Sequence, residues 1–320
     1  MESIMVIRRK DLFKLLLKNP YGFLFFMLRG LGLDKFLSDK SHILLEYRYR
    51  MEGEKCNLKD SKLFSEKLQW LKLNDRRLEY HQMVDKYEAK KYIASVIGES
   101  YTIPTLGVWD KYDDIEFDKL PEQFVLKCTH DSGSYVICKD KTTFNWLEAR
   151  KKLCKSLKKN YFLKNREWQY KGLYPRIIAE PYLIDSKTHT LNDYKFFCFN
   201  GKPKLFQICW DRNPQLGGAL IDFFDVEGHY LEIKDKYHNR EKEKIAELPV
   251  QLDKMLEFSR ILSKGYPTMR VDFYEVNGKL YVGELTLHEN AGFCAFSPEK
   301  YNLLMGDWIE LDKINSSICH

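Results

Sequence analysis

Three short turns constrain this chain more than any other feature. Asn200-Gly201, Glu227-Gly228 and Asn277-Gly278 each separate two apolar runs. Asn-Gly suits a two-residue turn whose central positions both need positive φ, and so short a link joins only antiparallel neighbours. The flanking runs cover 194–199 and 204–209, 219–225 and 230–233, and 268–276 and 279–287. Rich in Phe, Tyr, Val and Ile, they read as strands of an antiparallel sheet. The runs 124–128 and 135–138 make a fourth hairpin around the polar loop 129–134, and 176–183 reads as a further strand.

Helices are interleaved with these strands. Apolar spacing predicts helix within 12–17 and over 64–73, the second capped by Asp60 or Ser61. Further helices are expected over 85–97, closed by Gly98, over 144–159 with a basic face, and over 252–262, with a short strand-like stretch at 101–106. Hairpins alternating with helices specify an α+β fold, not a parallel doubly wound sheet.

Composition excludes little beyond disorder, since 44% of residues are hydrophobic and 31% charged. A net charge of +6 is too mild to require nucleic acid, and none is expected as a partner. The excess concentrates in 139–171, which holds Arg150, Lys151, Lys152, Lys155, Lys158 and Lys159 among others. That stretch reads as a solvated helix face, or as a landing surface for an anionic acceptor. The eight cysteines form no Cys-x-x-Cys pair, so a zinc site is not expected and reduced, mostly buried thiols are. Residues 1–10 lack a signal-peptide layout, and the apolar run 23–28 is far shorter than the ~20 residues that span a bilayer. Leu12, Leu15, Leu16 and 23–28 nevertheless sit among Arg8, Arg9, Lys10, Lys14, Lys18 and Arg29. Such a helix packs on the protein's own body or lies on an anionic membrane surface.

The last hairpin carries the sharpest chemical signal. Asp272 precedes Asn277 by five residues and Glu284 follows Gly278 by six, which sets the two carboxylates nearly opposite. Carboxylates that close need a cation between them, and hard oxygen donors suit Mg²⁺. The plainer alternative is a salt-bridged pair, with Arg270 as partner. Lys127 ends an apolar strand where an unpaired ammonium is costly. The small-residue loop His130-Asp131-Ser132-Gly133-Ser134 after it can turn backbone N–H groups toward phosphate oxygens. Glu180-Pro181 ends the strand 176–183, leaving backbone groups that either mark a strand end or meet an adenine edge. Asp193-Tyr194-Lys195 adds a cation to the same sheet, and Asp85-Lys86 opens a helix.

In this order the pieces resemble the ATP-grasp superfamily, and more closely its TupA-like family of teichuronopeptide and capsular polysaccharide biosynthesis. The likeness is carried by Phe64-Ser65-Glu66-Lys67-Leu68-Gln69-Trp70, Val84-Asp85-Lys86-Tyr87, Gly107-Val108-Trp109, Gln123-Phe124-Val125-Leu126-Lys127-Cys128, Asp193-Tyr194-Lys195-Phe196-Phe197, Arg270-Val271-Asp272 and Gly306-Asp307-Trp308. It covers about residues 41–308. The resemblance implies an ATP-grasp fold, two antiparallel-sheet subdomains clasping a nucleotide. A helical N-terminal extension over 1–75 would precede a catalytic region over 76–320, divided at 76–120, 121–183 and 184–320.

It also implies roles. Lys86 and Lys127 would contact the phosphates of ATP, with Asp131, Ser132, Gly133 and Ser134 closing over them. Glu180, Pro181 and Leu183 would hold adenine. Asp272, Glu284 and Thr286 would hold Mg²⁺, and Lys195 and Arg270 would act at the transferred phosphoryl group. Thr286 departs from the Asn often found two residues after the metal-binding Glu, so Thr286 or Asn290 completes the shell, or a single ion is held. The implied activity is ADP-forming ligation of a carboxylate to an amine through an acyl phosphate. Its expected substrates are a carboxylated glycan or lipid-linked precursor and an amino acid or other amine, in the cytoplasm at the inner face of the membrane. Rival readings are a glycosyltransferase, although no Asp-x-Asp metal triplet occurs, and a non-catalytic nucleotide- or glycan-binding module.

Overall fold

The computed structural model of the protein describes residues 9–187, 189–213, 218–235 and 244–311. Residues 1–8 and Cys319 lie outside them, as does the side chain of Leu12. The chain runs through α1 (Arg9–Lys18), α2 (Pro20–Gly30), α3 (Asp39–Arg50), α4 (Phe64–Asn74), α5 (Glu79–Val84) and α6 (Glu88–Ile97) to β1 (Gly107–Trp109), β2 (Phe124–Cys128) and β3 (Tyr135–Cys138). Next come α7 (Trp146–Leu157), α8 (Phe162–Asn165), β4 (Ile177–Pro181), β5 (Asp193–Phe199), β6 (Lys202–Asn213), β7 (Gly218–Asp225), β8 (Tyr230–Leu231) and β9 (Lys234–Asp235). The last elements are α9 (Leu252–Leu262), β10 (Thr268–Val276), β11 (Lys279–Thr286), β12 (Phe296–Ser297) and α10 (Lys300–Asp307).

Two compact units result. The first takes the chain up to Arg76, residues 162–168 and the chain from His288 onward. It is mainly helical. The Asn19 side chain accepts from Gly22 N–H at 2.8 Å and donates to the Arg48 carbonyl at 2.6 Å, tying α2 to α3. At the start of α4 neither Asp60 nor Ser61 is the cap. Instead Glu66, inside the first turn, accepts from the N–H groups of Asn57, Lys62 and Leu63 at 2.9, 3.0 and 3.1 Å. A carboxylate in a first turn satisfies orphan donors and meets the positive end of the helix dipole. Buried Lys72 donates to the Ala291 carbonyl at 3.0 Å. Burial drives its ammonium down to about 8 despite Glu46 and Glu167.

The second unit takes residues 77–161 and 169–287 and contains two antiparallel sheets. The six-stranded sheet has the order β11-β10-β5-β6-β7-β8. Its hairpins turn where the sequence places Asn-Gly: φ is 48° and 76° at Asn200 and Gly201, and 51° and 75° at Asn277 and Gly278. One face is apolar, with Phe196 stacked on Phe206 at 4.8 Å and Phe206 on Phe224 at 5.4 Å. Met255 and Leu262 of α9 and Ile93 of α6 join the same core. The four-stranded sheet has the order β1-β4-β2-β3, and its core brings Phe124, Leu126 and Ala179 together with Ala149 and Leu153 of α7.

Three local expectations change. The helix expected over 85–97 is present but begins at Glu88, and Asp85 caps it, its carboxylate accepting from the Tyr87 and Glu88 N–H groups at 3.0 Å each. Residues 101–106 form no strand: a 3₁₀ turn over Glu99–Tyr101 leads into an extended segment, and Thr102 makes a lone parallel bridge to Val282. Strand β4 has neighbours on both sides, because β1 covers it as far as Ala179 and β2 as far as Pro181. Backbone groups without a partner strand therefore remain only on the β1 side, past Ala179. Among the described residues no helix is long and apolar enough to cross a membrane.

Candidate active site

The face of the six-stranded sheet opposite the stacked phenylalanines carries a charged row. Lys195, Asp272 and Glu284 are register partners across β5, β10 and β11. Arg270, two residues before Asp272, shares its face by strand alternation and is the register partner of Thr286. Lys195 Nζ donates to Asp272 Oδ2 at 2.6 Å. Arg270 donates Nε to Asp272 Oδ1 at 2.6 Å and Nη2 to Oδ2 at 2.7 Å, a bidentate fork. The same Nη2 reaches Thr286 Oγ1 at 3.1 Å and Glu284 Oε2 at 3.8 Å. Asp272 is 1% exposed, and burial alone would raise its carboxyl, but Arg270 and Lys195 override that and hold it below its ordinary range. The salt bridge to Arg270, the plainer of the two sequence alternatives, is present, and Asp272 and Glu284 are register partners as the count from the turn implies.

A second charged cluster stands on the four-stranded sheet. Val125 pairs with Glu180, and Lys127 lies two residues along β2 on the same face. Lys127 Nζ meets Glu180 Oε2 at 2.6 Å, and Lys90 Nζ of α6 meets Oε1 at 2.7 Å. Burial would raise the Glu180 carboxyl, yet the two ammonium groups bring it down to about 2. Burial lowers Lys90 from its usual value, with Glu180 opposing. Lys90 also donates to the Ile103 carbonyl at 2.5 Å, next to Thr102, which bridges to Val282 two residues before Glu284. The segment 102–103 thus ties one charged cluster to the strand that carries the other.

The loop after Lys127 is organised from inside. The Asp131 carboxylate is turned inward, 1% exposed, and accepts from the hydroxyls of Ser134 and Ser156. Lys86 donates to the Asp131 carbonyl, and its own N–H donates to the Thr129 carbonyl at 3.0 Å. Ser132 and Gly133 are exposed at the tip, where Gly133 has φ 89°. Pro181 ends β4 opposite Phe124, and Leu183 follows it, half-buried.

Two participants escape a strand-by-strand reading. Lys90 follows Lys86 by four residues, a spacing that puts both amines on one side of a helical turn, so the signal was there to be read. Arg176 pairs with Asp85 at 3.2 Å and Glu88 at 3.0 Å across 91 and 88 residues, a contact that no local pattern announces. A cavity of about 790 Å³ opens beside Lys90, lined by Tyr101, Lys254, Lys279 and Tyr281 among others. Asp272, Lys195 and Glu284 are not in its lining.

A family model described as TupA-like ATPgrasp matches residues 66–310. Solved structures with a similar chain include a D-alanine–D-alanine ligase from Bacillus anthracis, 18% identical over 74% of this chain and 70% of that chain, TM-score 0.42. The same enzyme complexed with ATP is 19% identical over 73% and 67%, TM-score 0.38. A D-cycloserine synthetase is 16% identical over 73% and 71%, TM-score 0.39. No curated protein matches the chain.

Proposed function

Because the chain belongs to the TupA-like ATP-grasp family, we propose that it is an ADP-forming ligase that joins a carboxylate to an amine. The observation that carries this reading is the row Lys195–Asp272–Glu284 with Arg270 beside it, two anions and two cations on one sheet face.

The donor set there fits Mg²⁺. Asp272 and Glu284 supply carboxylate oxygens and Thr286 a hydroxyl, all hard donors. Asp272 accepts three hydrogen bonds, which leaves roughly one of its four lone-pair directions open. Glu284 is 42% exposed and meets only Arg270, at 3.8 Å, among the described residues. Bound there, Mg²⁺ would offset the negative charge that develops on the phosphate. Lys86, Lys90 and Lys127 would take up the phosphates of ATP, and the backbone N–H groups of 131–134 would cover them. Glu180 positions Lys90 and Lys127, and with Pro181 and Leu183 it would border adenine.

In the proposed reaction a substrate carboxylate oxygen attacks the γ-phosphorus, the bond to the β-phosphate oxygen breaks, and ADP leaves. Lys195 and Arg270 hold the phosphoryl oxygens through transfer. The amine nitrogen then attacks the acyl carbon of the acyl phosphate, inorganic phosphate departs with the bonding pair, and the amine proton passes to phosphate or solvent. No protein nucleophile is needed. The acid substrate we infer is a carboxylated surface polysaccharide or its lipid-linked precursor, and the amine an amino acid. Lys151, Lys155, Lys158 and Lys159 are exposed around α7 and would draw in such a polyanion. Leu17, Tyr21, Leu31 and Phe36 are exposed at 68, 52, 67 and 76%, and Lys14 and Lys18 of α1 are exposed too, which favours contact with an anionic membrane surface.

The test is ADP release from ATP and Mg²⁺ with a uronic-acid oligosaccharide and mixed amino acids. ADP formation dependent on both co-substrates supports the ligase. Nucleoside diphosphate from a sugar donor instead, or no product at all, overturns it. Lys127→Ala and Glu284→Ala should each weaken nucleotide binding, and unchanged binding in both would remove the site.

A further inference from the structure

At the base of the loop 129–134 three metal-binding side chains converge, none of which the proposed ligase chemistry uses as a ligand. Cys128 Sγ, a ring nitrogen of His130 and a carboxylate oxygen of Asp131 lie within 4.8 Å of one another, and all three residues are buried. Their sequence spacing hides them, because Cys-x-His-Asp is not a Cys-x-x-Cys pair and the cysteine pattern predicts no zinc. The fold supplies what the spacing does not. Cys128 ends β2, and the chain turns at once to bring His130 and Asp131 back beneath α7.

The decisive feature is the histidine. Its Nε2 lies 3.2 Å from the Ser156 carbonyl, which can only accept, so Nε2 carries the proton. That leaves the lone pair on Nδ1, and Nδ1 has no hydrogen-bond partner among the described residues although His130 is 2% exposed. A buried acceptor with nothing to accept from is costly. A histidine whose one nitrogen donates to a backbone carbonyl while the other presents a lone pair is held as metal-ligating histidines are held. Asp131 is oriented in the same way, by the hydroxyls of Ser134 and Ser156. Cys128 Sγ has a weak contact, 3.8 Å to the Leu153 carbonyl, which a cation readily replaces.

We propose that Cys128, His130 and Asp131 bind a borderline-soft divalent cation of the Zn²⁺ class, which braces the loop that follows Lys127. The charges balance, since one thiolate and one carboxylate neutralise a dication. Sulfur with imidazole selects against Mg²⁺ and Ca²⁺, so this ion would be distinct from the one assigned to Asp272 and Glu284. Three protein ligands leave one tetrahedral position, as in open zinc sites.

The experiment uses the full chain without a histidine tag, stripped with chelator and titrated with Zn²⁺ against a chromogenic chelator, then with Co²⁺ followed by absorption. The expected result is one Zn²⁺ per chain and, with Co²⁺, a thiolate-to-metal charge-transfer band. Cys128→Ser abolishes the band, and Cys128→Ser and His130→Gln each weaken Zn²⁺ binding by at least about 10-fold, the lower end of what disturbing a metal's surroundings costs. His229→Gln, in the exposed group Asp225, Glu227 and His229, leaves binding unchanged. Failure to bind Zn²⁺ stoichiometrically, a Co²⁺ complex with no thiolate band, or loss of binding in His229→Gln overturns the proposal. The wild-type Co²⁺ spectrum decides even where a variant fails to fold, and it is read without ATP, so it stands apart from the ligase assay.

Discussion

Replacing Glu180 by Gln keeps the side chain's shape and removes the one anion between two ammonium groups. The Glu180 side chain is 6% exposed, with Lys127 at 2.6 Å and Lys90 at 2.7 Å. The fall of its carboxyl from 4.5 to about 2 corresponds to about 3 kcal/mol in favour of the ionised form. Losing that interaction and leaving two half-buried cations facing each other should cost about 3 kcal/mol, at the lower edge of what breaking a buried ion pair costs. For a unit of this size each kcal/mol moves Tm by roughly 2–4 °C, so a fall of roughly 6–12 °C is expected. A folded-state pKa below the unfolded one gives stability that is present above pH 4.5 and lost as pH falls toward 2. The gap between wild type and Glu180→Gln should therefore hold from pH 7 to 5 and close below 4.5. The assay is calorimetry of four proteins: wild type, Glu180→Gln, Lys127→Met and the double variant. The coupling energy should be about 1–3 kcal/mol, as for residues in one charged network. Additive effects, or a Tm gap that does not narrow as pH falls from 4.5 toward 2, would refute the idea that Glu180 is the counter-ion holding these lysines in place. Adding ATP should narrow the gap, because phosphate restores negative charge beside Lys90 and Lys127.

Asp272→Asn should destabilise the protein by about 3–5 kcal/mol, because Arg270 and Lys195 lose a buried counter-charge; urea unfolding checks this, and a loss under 1 kcal/mol sinks it. Lys72, lowered from 10.5 to about 8 by burial, takes up a proton more readily when unfolded, so it penalises the fold as pH falls from 10.5 toward 8. Wild type should accordingly gain stability relative to Lys72→Met between pH 8 and 10, and a constant difference across that range would count against it. Gly283→Ala drives a methyl group into the Tyr274 ring, at a cost of about 1–3 kcal/mol, and should displace Glu284. Mg²⁺-dependent nucleotide affinity should then drop more than Tm does, whereas an equal or smaller loss would separate Gly283 from the site.

How far the site could be read in advance followed from what each feature depends on. The hairpins were legible because Asn200-Gly201 and Asn277-Gly278 set positive φ locally, whatever surrounds them. Lys127 and Lys195 were legible because an ammonium within an apolar strand demands a partner. Arg176 and Ser156 were not: they reach Asp85, Glu88 and Asp131 from just before β4 and from α7, and no periodicity records which side chain will face which. Asp131 shows the limit from the other side. In the sequence it is one polar residue in a small loop, while in the fold its carboxylate points inward to the hydroxyls of Ser134 and Ser156.

The pairing of Asp272 with Glu284 rests on a single residue. Counting outward from the turn, Val276 meets Lys279 and Tyr274 meets Tyr281, and an unbroken ladder would set Asp272 against Gly283. Glu284 would then point to the opposite, apolar face, since a one-residue slip inverts a strand. The register instead shifts between Asp272 and Phe273, Gly283 is absorbed, and Asp272 meets Glu284. A glycine suits that position because a Cβ there would strike the Tyr274 ring. Beyond the bulge Leu285 stays in the core while Glu284 and Thr286 turn to the charged face. One extra residue with no side chain thus lets a strand serve a packed core along its whole length and still place two carboxylates side by side.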